Sequence, residues 1–182
     1  MQGMKYIYFM GVQHCDLKAA NCLLDQNGLL KIADFGISKN EELQTHTATQ
    51  TKGGGMAGTI THMPPEVLDD DDEEGFTEKS DVYALAMTLY EIVSGDFPWS
   101  GKTPAQILTQ VLVKKQRPPI PEGTPAWLGE IMVDCWAHDP KKRPTFAEVL
   151  QRLPPPPQKT LRSSFSSPVT PPHPPASSCS PG

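Results

Sequence analysis

The stretch from Ser80 to Ser94 constrains the fold more than any other, because it combines a strong helical pattern with apolar residues around much of its circumference. Ser80 can cap its start, and Gly95 can end it. The apolar positions are Val82, Leu85, Ala86, Leu89, Ile92 and Val93. A helix with so wide an apolar face must be covered by other elements, so we expect it to be the central buried helix. The next loop contains Phe97 and Trp99, whose rings we expect to pack over this helix.

Four further helices and one β-hairpin are predicted around it. From the helical spacing of apolar residues, the helices are expected at Met1–Met10, Pro104–Lys115, Pro125–Ala137 and Phe146–Leu153. Thr145 caps the last helix, and Glu148 completes a capping box. Two short strands, Cys22–Asp25 and Leu29–Ala33, flank an Asn-Gly pair that favours a tight turn with positive φ. The fold class is therefore α+β and mainly helical, with a short β-hairpin.

Polar side chains with chemical potential are concentrated between His14 and Asn21, where Asp16, Lys18 and Asn21 share one short loop. A second carboxylate, Asp34, follows the hairpin. The hairpin sets the distance between Asn21 and Asp34, so we expect both to reach one metal ion from opposite sides. Two carboxylates, an amide and an ammonium group arranged in this way suit a metal-bound phosphate.

Three segments carry no periodic pattern. Residues Ile37–Ile60 form a long, threonine-rich loop, which inside a compact domain is usually functional or disordered. Asp69–Glu74 is an unbroken acidic run, expected to be a solvated surface loop. Pro154–Gly182 is rich in Pro and Ser and has too few apolar residues to order itself. We therefore expect one domain over residues 1–153 and a disordered tail over 154–182, whose Pro-x-x-Pro spacings permit docking of an SH3 or WW domain; an inert tail is the alternative.

Composition argues against several classes of function. The net charge of −5 and the pI of about 5.5 give no electrostatic basis for binding nucleic acid or an anionic membrane. The four cysteines form no CxxC pair and have no histidine at zinc-finger spacing. No apolar run reaches the ~18 residues of a membrane span, and the opening lacks the pattern of a signal peptide. We expect a cytoplasmic, reducing location.

The order of motifs over residues 1–153 resembles the C-terminal lobe of the protein kinases, specifically the tyrosine-kinase-like group. His14–Asn21 is similar to the catalytic-loop pattern H-R-D-x-x-x-x-N, and Asp34-Phe35-Gly36 is the D-F-G that follows it. Gly58–Glu66 is similar to the family's G-T-x-x-[YW]-M-A-P-E. Further matching motifs are Lys79–Tyr83, at the start of the family's central helix αF, and Lys142–Thr145, which reads K-R-P-T.

This resemblance implies a protein kinase that uses ATP and Mg²⁺ and acts on protein substrates. It assigns Asp16 to orient or accept the proton of the acceptor hydroxyl, and Lys18 to hold the γ-phosphate. Asn21 and Asp34 would hold Mg²⁺ against the phosphates. Leu23 would form the floor under the adenine ring.

The resemblance also implies three supporting roles. Glu66 and Arg143 match the two ends of a buried ion pair that ties the activation segment to the lower part of the lobe. Asp81 matches the acid that accepts hydrogen bonds from the catalytic-loop backbone. Lys18 and Thr59 together favour serine or threonine as the acceptor and leave dual specificity open.

Departures from the family pattern lead to two further expectations. Cys15 stands where the family's arginine pairs with a phosphorylated activation-loop residue, so this is a non-RD sequence. We therefore do not expect phosphorylation within Thr45–Thr51 to switch activity by that pairing. His62 replaces an aromatic residue, and Pro64 replaces an alanine.

The parts of the kinase small lobe have no counterpart in these 182 residues: there is no Gly-rich loop, no Val-Ala-x-Lys strand and no αC glutamate. We therefore expect weak or no ATP turnover by this chain alone. An exposed apolar face at Met1–Met10 is expected to lower its solubility. The alternative function is non-catalytic: a pseudokinase or truncated lobe that acts as a protein-binding scaffold.

Overall fold

The computed structural model describes residues 2–35, 39–40, 59–69 and 76–155. Most of the threonine-rich loop, most of the acidic run and nearly all of the Pro-rich segment, including the predictions made for them, lie outside these residues. The helices are α1 (Gln2–Phe9), α2 (Pro65–Leu68), α3 (Glu78–Ser94), α4 (Pro104–Leu108), α5 (Ala126–Cys135) and α6 (Phe146–Arg152). The strands are β1 (Val12–Gln13), β2 (Cys22–Leu24), β3 (Leu30–Ile32) and β4 (Lys39–Asn40). Among the described helices, none is both long and apolar enough to cross a bilayer.

Helix α3 lies at the centre, as its apolar circumference predicts, and is buried from Ser80 to Thr88. It begins one turn earlier than expected. Thr77 is the N-cap, and Ser80 is instead the N3 residue whose hydroxyl accepts the Thr77 N–H in a capping box. Gly95 ends the helix with φ of 70°, as expected. The prediction that Ile92 is buried is wrong: it is 57% exposed, because the last turns of α3 extend past the elements that cover its first half.

The main hydrophobic core surrounds α3 with residues from every side. Helix α5 packs against it, α6 contacts α5, and α1 contacts α6. The buried partners outside α3 are Met4, Leu17, Ile131, Met132, Cys135, Trp136, Phe146 and Val149. The capping box predicted for α6 is present, since Thr145 accepts from the Glu148 N–H and the Glu148 carboxylate accepts from the Thr145 N–H.

A second, smaller core lies beside α4. It contains Met63, Leu68, Trp99, Ile107 and Val111. Trp99 is buried in this cluster rather than over α3, and Phe97 is 69% exposed, so the prediction that both rings cover α3 is wrong. The helix expected at Pro104–Lys115 is α-helical only through Leu108 and continues as a wider π turn over Thr109–Val113.

The predicted hairpin is present. Strands β2 and β3 are antiparallel, with Cys22 opposite Ile32, and Gly28 has the positive φ (74°) that the turn requires. Asp25 accepts hydrogen bonds from two turn N–H groups, those of Asn27 and Leu29. A second ladder, β1 with β4, was not predicted, because two-residue strands leave no periodic signal.

An apolar groove lies between α1 and the hairpin. It has a volume of about 280 Å³ and is lined by Gly3, Tyr6, Ile7, Leu30, Lys31, Ile32 and Phe35. Tyr6 is 63% exposed and Phe9 85% exposed, so α1 does present the apolar face expected from the sequence.

Candidate active site

The loop between β1 and β2 is anchored by the central helix. Asp81, which is buried in α3, accepts hydrogen bonds from the backbone N–H groups of His14 (2.7 Å) and Cys15 (2.9 Å). Cys15 has φ of 66°, a left-handed conformation that is uncommon outside glycine, so these charge-assisted bonds help to fix the turn. Burial raises the pKa of Asp81, and the two N–H donors oppose that rise. Asp81 thus makes the backbone contact that the kinase resemblance assigns to it.

His14 connects this loop to the end of the hairpin. Its ring is fully buried, with Nε2 3.2 Å from the carbonyl oxygen of Ala33 and the ring 5.0 Å from that of Phe35. The N–H of Ala33 donates to the carbonyl of Asn21 at 2.8 Å. Because Asp34 directly follows Ala33, the segment that carries Asp34 is fixed relative to the loop that carries Asn21.

Asp16, Lys18 and Thr59 form one compact polar cluster. The Lys18 ammonium donates to Asp16 Oδ2 at 2.6 Å and to Thr59 Oγ1 at 3.0 Å. Asp16 Oδ1 accepts from both the backbone N–H (3.2 Å) and the hydroxyl (2.9 Å) of Thr59. Thr59 is 41 positions from Lys18 and 43 positions from Asp16 in the sequence. Tertiary structure therefore brings the three residues together.

These contacts keep the Asp16 carboxylate ionised. Burial acts to raise the pKa of Asp16, but the hydrogen bonds from Lys18 and Thr59 outweigh it and leave that pKa below its ordinary value. At neutral pH, Asp16 is consequently an acceptor-only group beside an ammonium ion, an arrangement suited to orienting a hydroxyl.

Asn21 and Asp34 supply the oxygen ligands that Mg²⁺ prefers. Asn21 Nδ2 donates to the carbonyl of Asp16 at 2.8 Å, so its Oδ1 is the atom available to a metal ion. Asp34 is exposed at the end of the hairpin. The described residues contain no group of three or more His, Cys, Asp or Glu side chains placed to bind a metal, so such a site would use these two ligands together with phosphate and water. That both reach one ion stays a prediction.

The kinase resemblance also assigned roles to Leu23 and to the pair Glu66 and Arg143. Leu23 is 54% exposed on β2. Its contact with an adenine ring stays a prediction. Glu66 and Arg143 form a buried, bidentate ion pair, with Nη1–Oε1 at 2.6 Å and Nη2–Oε2 at 2.8 Å. Arg143 also donates to the carbonyls of Ala137 and Lys79. It therefore joins α2 to the start of α3 and to the segment that follows α5.

Sequence reasoning missed a second contact to the catalytic-type loop. Glu91, in the last part of α3, accepts a hydrogen bond from the Ala19 N–H at 2.8 Å. The same oxygen lies 3.2 Å from Nε2 of His62, which is 4% exposed, although the geometry falls short of a hydrogen bond. Burial acts to raise the pKa of Glu91, but His62 and the Ala19 N–H outweigh it and lower that pKa.

A weak signal for Glu91 was present in the sequence. Glu91 follows Ser80 by eleven residues, about three helical turns, so the two share a face. Ala84 and Thr88 lie between them on that face, which is small and polar in an otherwise apolar helix. Ser80 and Ala84 line a small cavity against the loop and the segment after Thr59. A small, polar stripe on a buried helix is where backbone can approach closely.

Comparison with known proteins identifies the family. The sequence matches the family described as protein tyrosine and serine/threonine kinase over residues 1–153. A probable serine/threonine-protein kinase of Dictyostelium discoideum is 41% identical over 152 residues, which are 84% of this chain and 16% of that protein. Serine/threonine-protein kinase STY17 of Arabidopsis thaliana is 36% identical, over 84% of this chain and 25% of its own length. Serine/threonine/tyrosine-protein kinase HT1, also of Arabidopsis thaliana, is 36% identical, over 84% and 37%.

The chain thus spans less than two fifths of the length of each of these relatives. Over that span, the match includes the loop that carries Asp16 and the ion pair between Glu66 and Arg143. The chain belongs to the protein tyrosine and serine/threonine kinase family, and its relatives place it in the tyrosine-kinase-like group.

Proposed function

We propose that residues 1–153 form the C-terminal lobe of a protein kinase that transfers the γ-phosphoryl group of ATP to serine or threonine hydroxyls of protein substrates. The observation that carries this proposal is the cluster of Asp16, Lys18 and Thr59, in which a carboxylate, an ammonium group and a hydroxyl converge within 3.2 Å of one another. Phosphoryl transfer depends almost entirely on positioning and electrostatic stabilisation, and such a cluster supplies both.

In this mechanism Asp16 orients the acceptor hydroxyl. Its lowered pKa keeps it ionised, so it would accept a hydrogen bond from the hydroxyl. It would receive the hydroxyl proton as the bond from that oxygen to the γ-phosphorus forms and the bond from the γ-phosphorus to the departing ADP oxygen breaks. Lys18 is held beside it and stabilises the negative charge of the transferring group. Thr59 donates to Oδ1 of Asp16, so we infer that Thr59 Oγ1 marks the place that the substrate hydroxyl would take.

ATP and Mg²⁺ are the cofactors that this reaction requires. Asn21 Oδ1 and the Asp34 carboxylate would hold Mg²⁺, which neutralises charge on the phosphate oxygens. Leu23 would contact the adenine ring. The hydrogen bond between Ala33 and Asn21 supports this assignment, because it fixes the two ligand-bearing segments to each other.

Serine and threonine are the acceptors we favour. The hydrogen bond from Lys18 to Thr59 supports this, since it narrows the space around Asp16. Two of the three relatives described above are named serine/threonine kinases, and the third is named for tyrosine as well. Docking of an SH3 or WW domain on the Pro-rich segment, and a cytoplasmic location, stay predictions from the sequence.

Residues 1–182 by themselves should turn over ATP weakly or not at all. They contain no glycine-rich loop to cover the phosphates of ATP and no Val-Ala-x-Lys strand whose lysine would pair with those phosphates. The exposed side chains of Leu23 and Tyr6, with no apolar cover in the described structure, are consistent with an incomplete nucleotide site.

The test is phosphate transfer from radiolabelled ATP by the full-length protein, with Mg²⁺, to a mixed protein substrate. Asp16→Asn should lower the rate by about 10²–10⁴-fold. The matched control is Asp25→Asn, because Asp25 is also hydrogen-bonded to backbone N–H groups but lies on the hairpin turn. Phosphoserine and phosphothreonine should dominate the hydrolysed product.

Two results would contradict the proposal. An Asp16→Asn protein that keeps wild-type activity would remove Asp16 from the reaction. A wild-type protein that neither transfers phosphate nor binds nucleotide with Mg²⁺ would instead favour the non-catalytic scaffold.

A further inference from the structure

His138 follows α5 and contacts the buried ion pair of Glu66 and Arg143. Its carbonyl accepts a hydrogen bond from Nη2 of Arg143 at 3.3 Å. The residue is partly exposed, but Nδ1 of its ring is shielded from solvent and has no hydrogen-bond partner in the described part of the chain. The ring therefore lies at the boundary between solvent and the protein interior.

The charges that act most on the His138 ring are mostly positive. They belong to Arg117, Lys115 and Arg143. Arg117 is fixed near the ring, because its Nε donates to the carbonyl of Trp136 at 2.8 Å. Lys115 is exposed and lies two residues before Arg117, in the segment that follows the π turn. A proton on His138 would consequently add a positive charge to a group of three cations.

The nearby acids do not offset these charges. Both carboxylate oxygens of Glu66 already accept from Arg143. Asp139 is next to His138 in the sequence, but its carboxylate accepts the backbone N–H of Lys141 at 2.9 Å. The charged and titratable groups around His138 and Arg143 are Glu66 on α2, Lys79 and Tyr83 on α3, Lys115 and Arg117 after the π turn, and Asp139 after α5.

This environment favours the neutral form of the ring. Partial burial lowers the pKa of His138, and Arg117, Lys115 and Arg143 lower it further, while Glu66 acts in the opposite direction without outweighing them. Protonation would also place an N–H donor on both ring nitrogens. Because Nδ1 is shielded from water and has no acceptor among the described residues, a donor there costs free energy.

We propose that His138 is an acid-sensitive switch: its protonation adds a positive charge beside Arg143 and weakens the hold of Arg143 on Glu66, and so on α2. Since the pKa of His138 is lowered in the folded state, the neutral ring stabilises the protein fully above about pH 6.5, the ordinary histidine value. That contribution is lost as the pH falls from there through the folded pKa. The switch acts on the fold and does not depend on the proposed function.

The first measurement is NMR of the histidine rings of residues 1–182 between about pH 5 and pH 8, with His138→Gln to assign the signal. The midpoint of His138 should lie below about 6.5. Lys115→Gln removes one cation and should raise this midpoint, most clearly at low salt. The control is Lys114→Gln, which is equally exposed but is not among the charges that act most on the ring. A midpoint at or above the ordinary value, or one that Lys115→Gln leaves unchanged, would overturn the proposal.

The same spectra test the link between His138 and the ion pair. The Arg143 Nε–H donates to the carbonyl of Ala137 at 2.8 Å, and its chemical shift reports on the guanidinium. This shift should change with the midpoint of His138, and the change should disappear in His138→Gln. An Arg143 signal that does not follow His138 would refute the effect on α2.

The second measurement is urea unfolding at about pH 7.5 and about pH 5.5, on either side of the ordinary histidine pKa. The urea midpoint should fall more in the wild type than in His138→Gln, because glutamine takes up no proton. The other histidines are common to both proteins, so the comparison isolates His138. His173→Gln, in the Pro-rich segment, is the control and should behave as the wild type. Equal falls in the wild type and in His138→Gln would overturn the proposal, whatever the protein does with ATP.

Discussion

Replacing Glu66 with alanine should destabilise the protein by about 3–5 kcal/mol, the range for breaking a buried ion pair by removing one partner. Arg143 is 2% exposed and Glu66 is 7% exposed. Glu66→Ala removes the two hydrogen bonds, at 2.6 and 2.8 Å, that the Arg143 guanidinium donates to the Glu66 carboxylate. Among the described residues, Arg143 then has no carboxylate partner. The carbonyls of Ala137 and Lys79 would still accept from Arg143, but they cannot neutralise its charge.

Urea unfolding of residues 1–182, followed by tryptophan fluorescence, measures this difference as a shift in midpoint at constant slope. The chain offers a matched control in Arg152 and Asp134, which form a similar pair at 2.8 Å but are 36% and 51% exposed in their side chains. Arg152→Ala should cost about 0–1 kcal/mol, because an exposed pair gains little from its charges. The contrast between the two variants isolates the effect of burial.

A double variant tests the reasoning further. Replacing a buried ion pair by apolar residues is often neutral. Here, Glu66→Leu with Arg143→Met should still be destabilising, because the backbone carbonyls that Arg143 serves lose their donor. A Glu66→Ala variant that is no less stable than Arg152→Ala would refute the claim that this pair holds α2 to the core.

Three further predictions follow from single features. Thr145→Ala should cost about 0.5–2 kcal/mol in the same unfolding assay, since the Thr145 hydroxyl caps α6 at 3.2 Å from the Glu148 nitrogen; an unchanged midpoint would contradict this. Glu91→Gln should be less stable than wild type at pH 7, because a carboxylate whose pKa is lowered in the folded state stabilises the protein only while it is ionised. The difference in stability should therefore narrow as the pH falls below about 4.5. A difference that grows in acid would contradict the assigned direction of the pKa shift. Phosphorylation within Thr45–Thr51 of the full-length protein should leave its rate nearly unchanged, because Cys15 cannot pair with phosphate; strong activation in a kinase assay would refute this.

The sequence by itself determined the longer helices, the hairpin and their order, but not the short helix α2 or the ladder of β1 with β4. The central helix, the hairpin turn at Gly28 and the capping box at Thr145 were predicted because each depends on residues within a few positions of one another. Membership of the kinase family was predicted for a similar reason, since the motifs that carry it are short and local. The geometry of Asp81 and of the pair Glu66 and Arg143 was predicted only through that resemblance.

The tertiary structure decided the contacts between residues that are far apart in the sequence. Glu91 approaches Ala19 across 72 positions and also meets His62, and no local pattern encodes either distance. The same holds for Trp99, which a local reading placed over α3. Its ring packs instead with Met63 and Ile107, because the folded chain brings a second apolar cluster within its reach. Periodicity reports which face of a helix is apolar, whereas the partner of that face depends on how the whole chain packs.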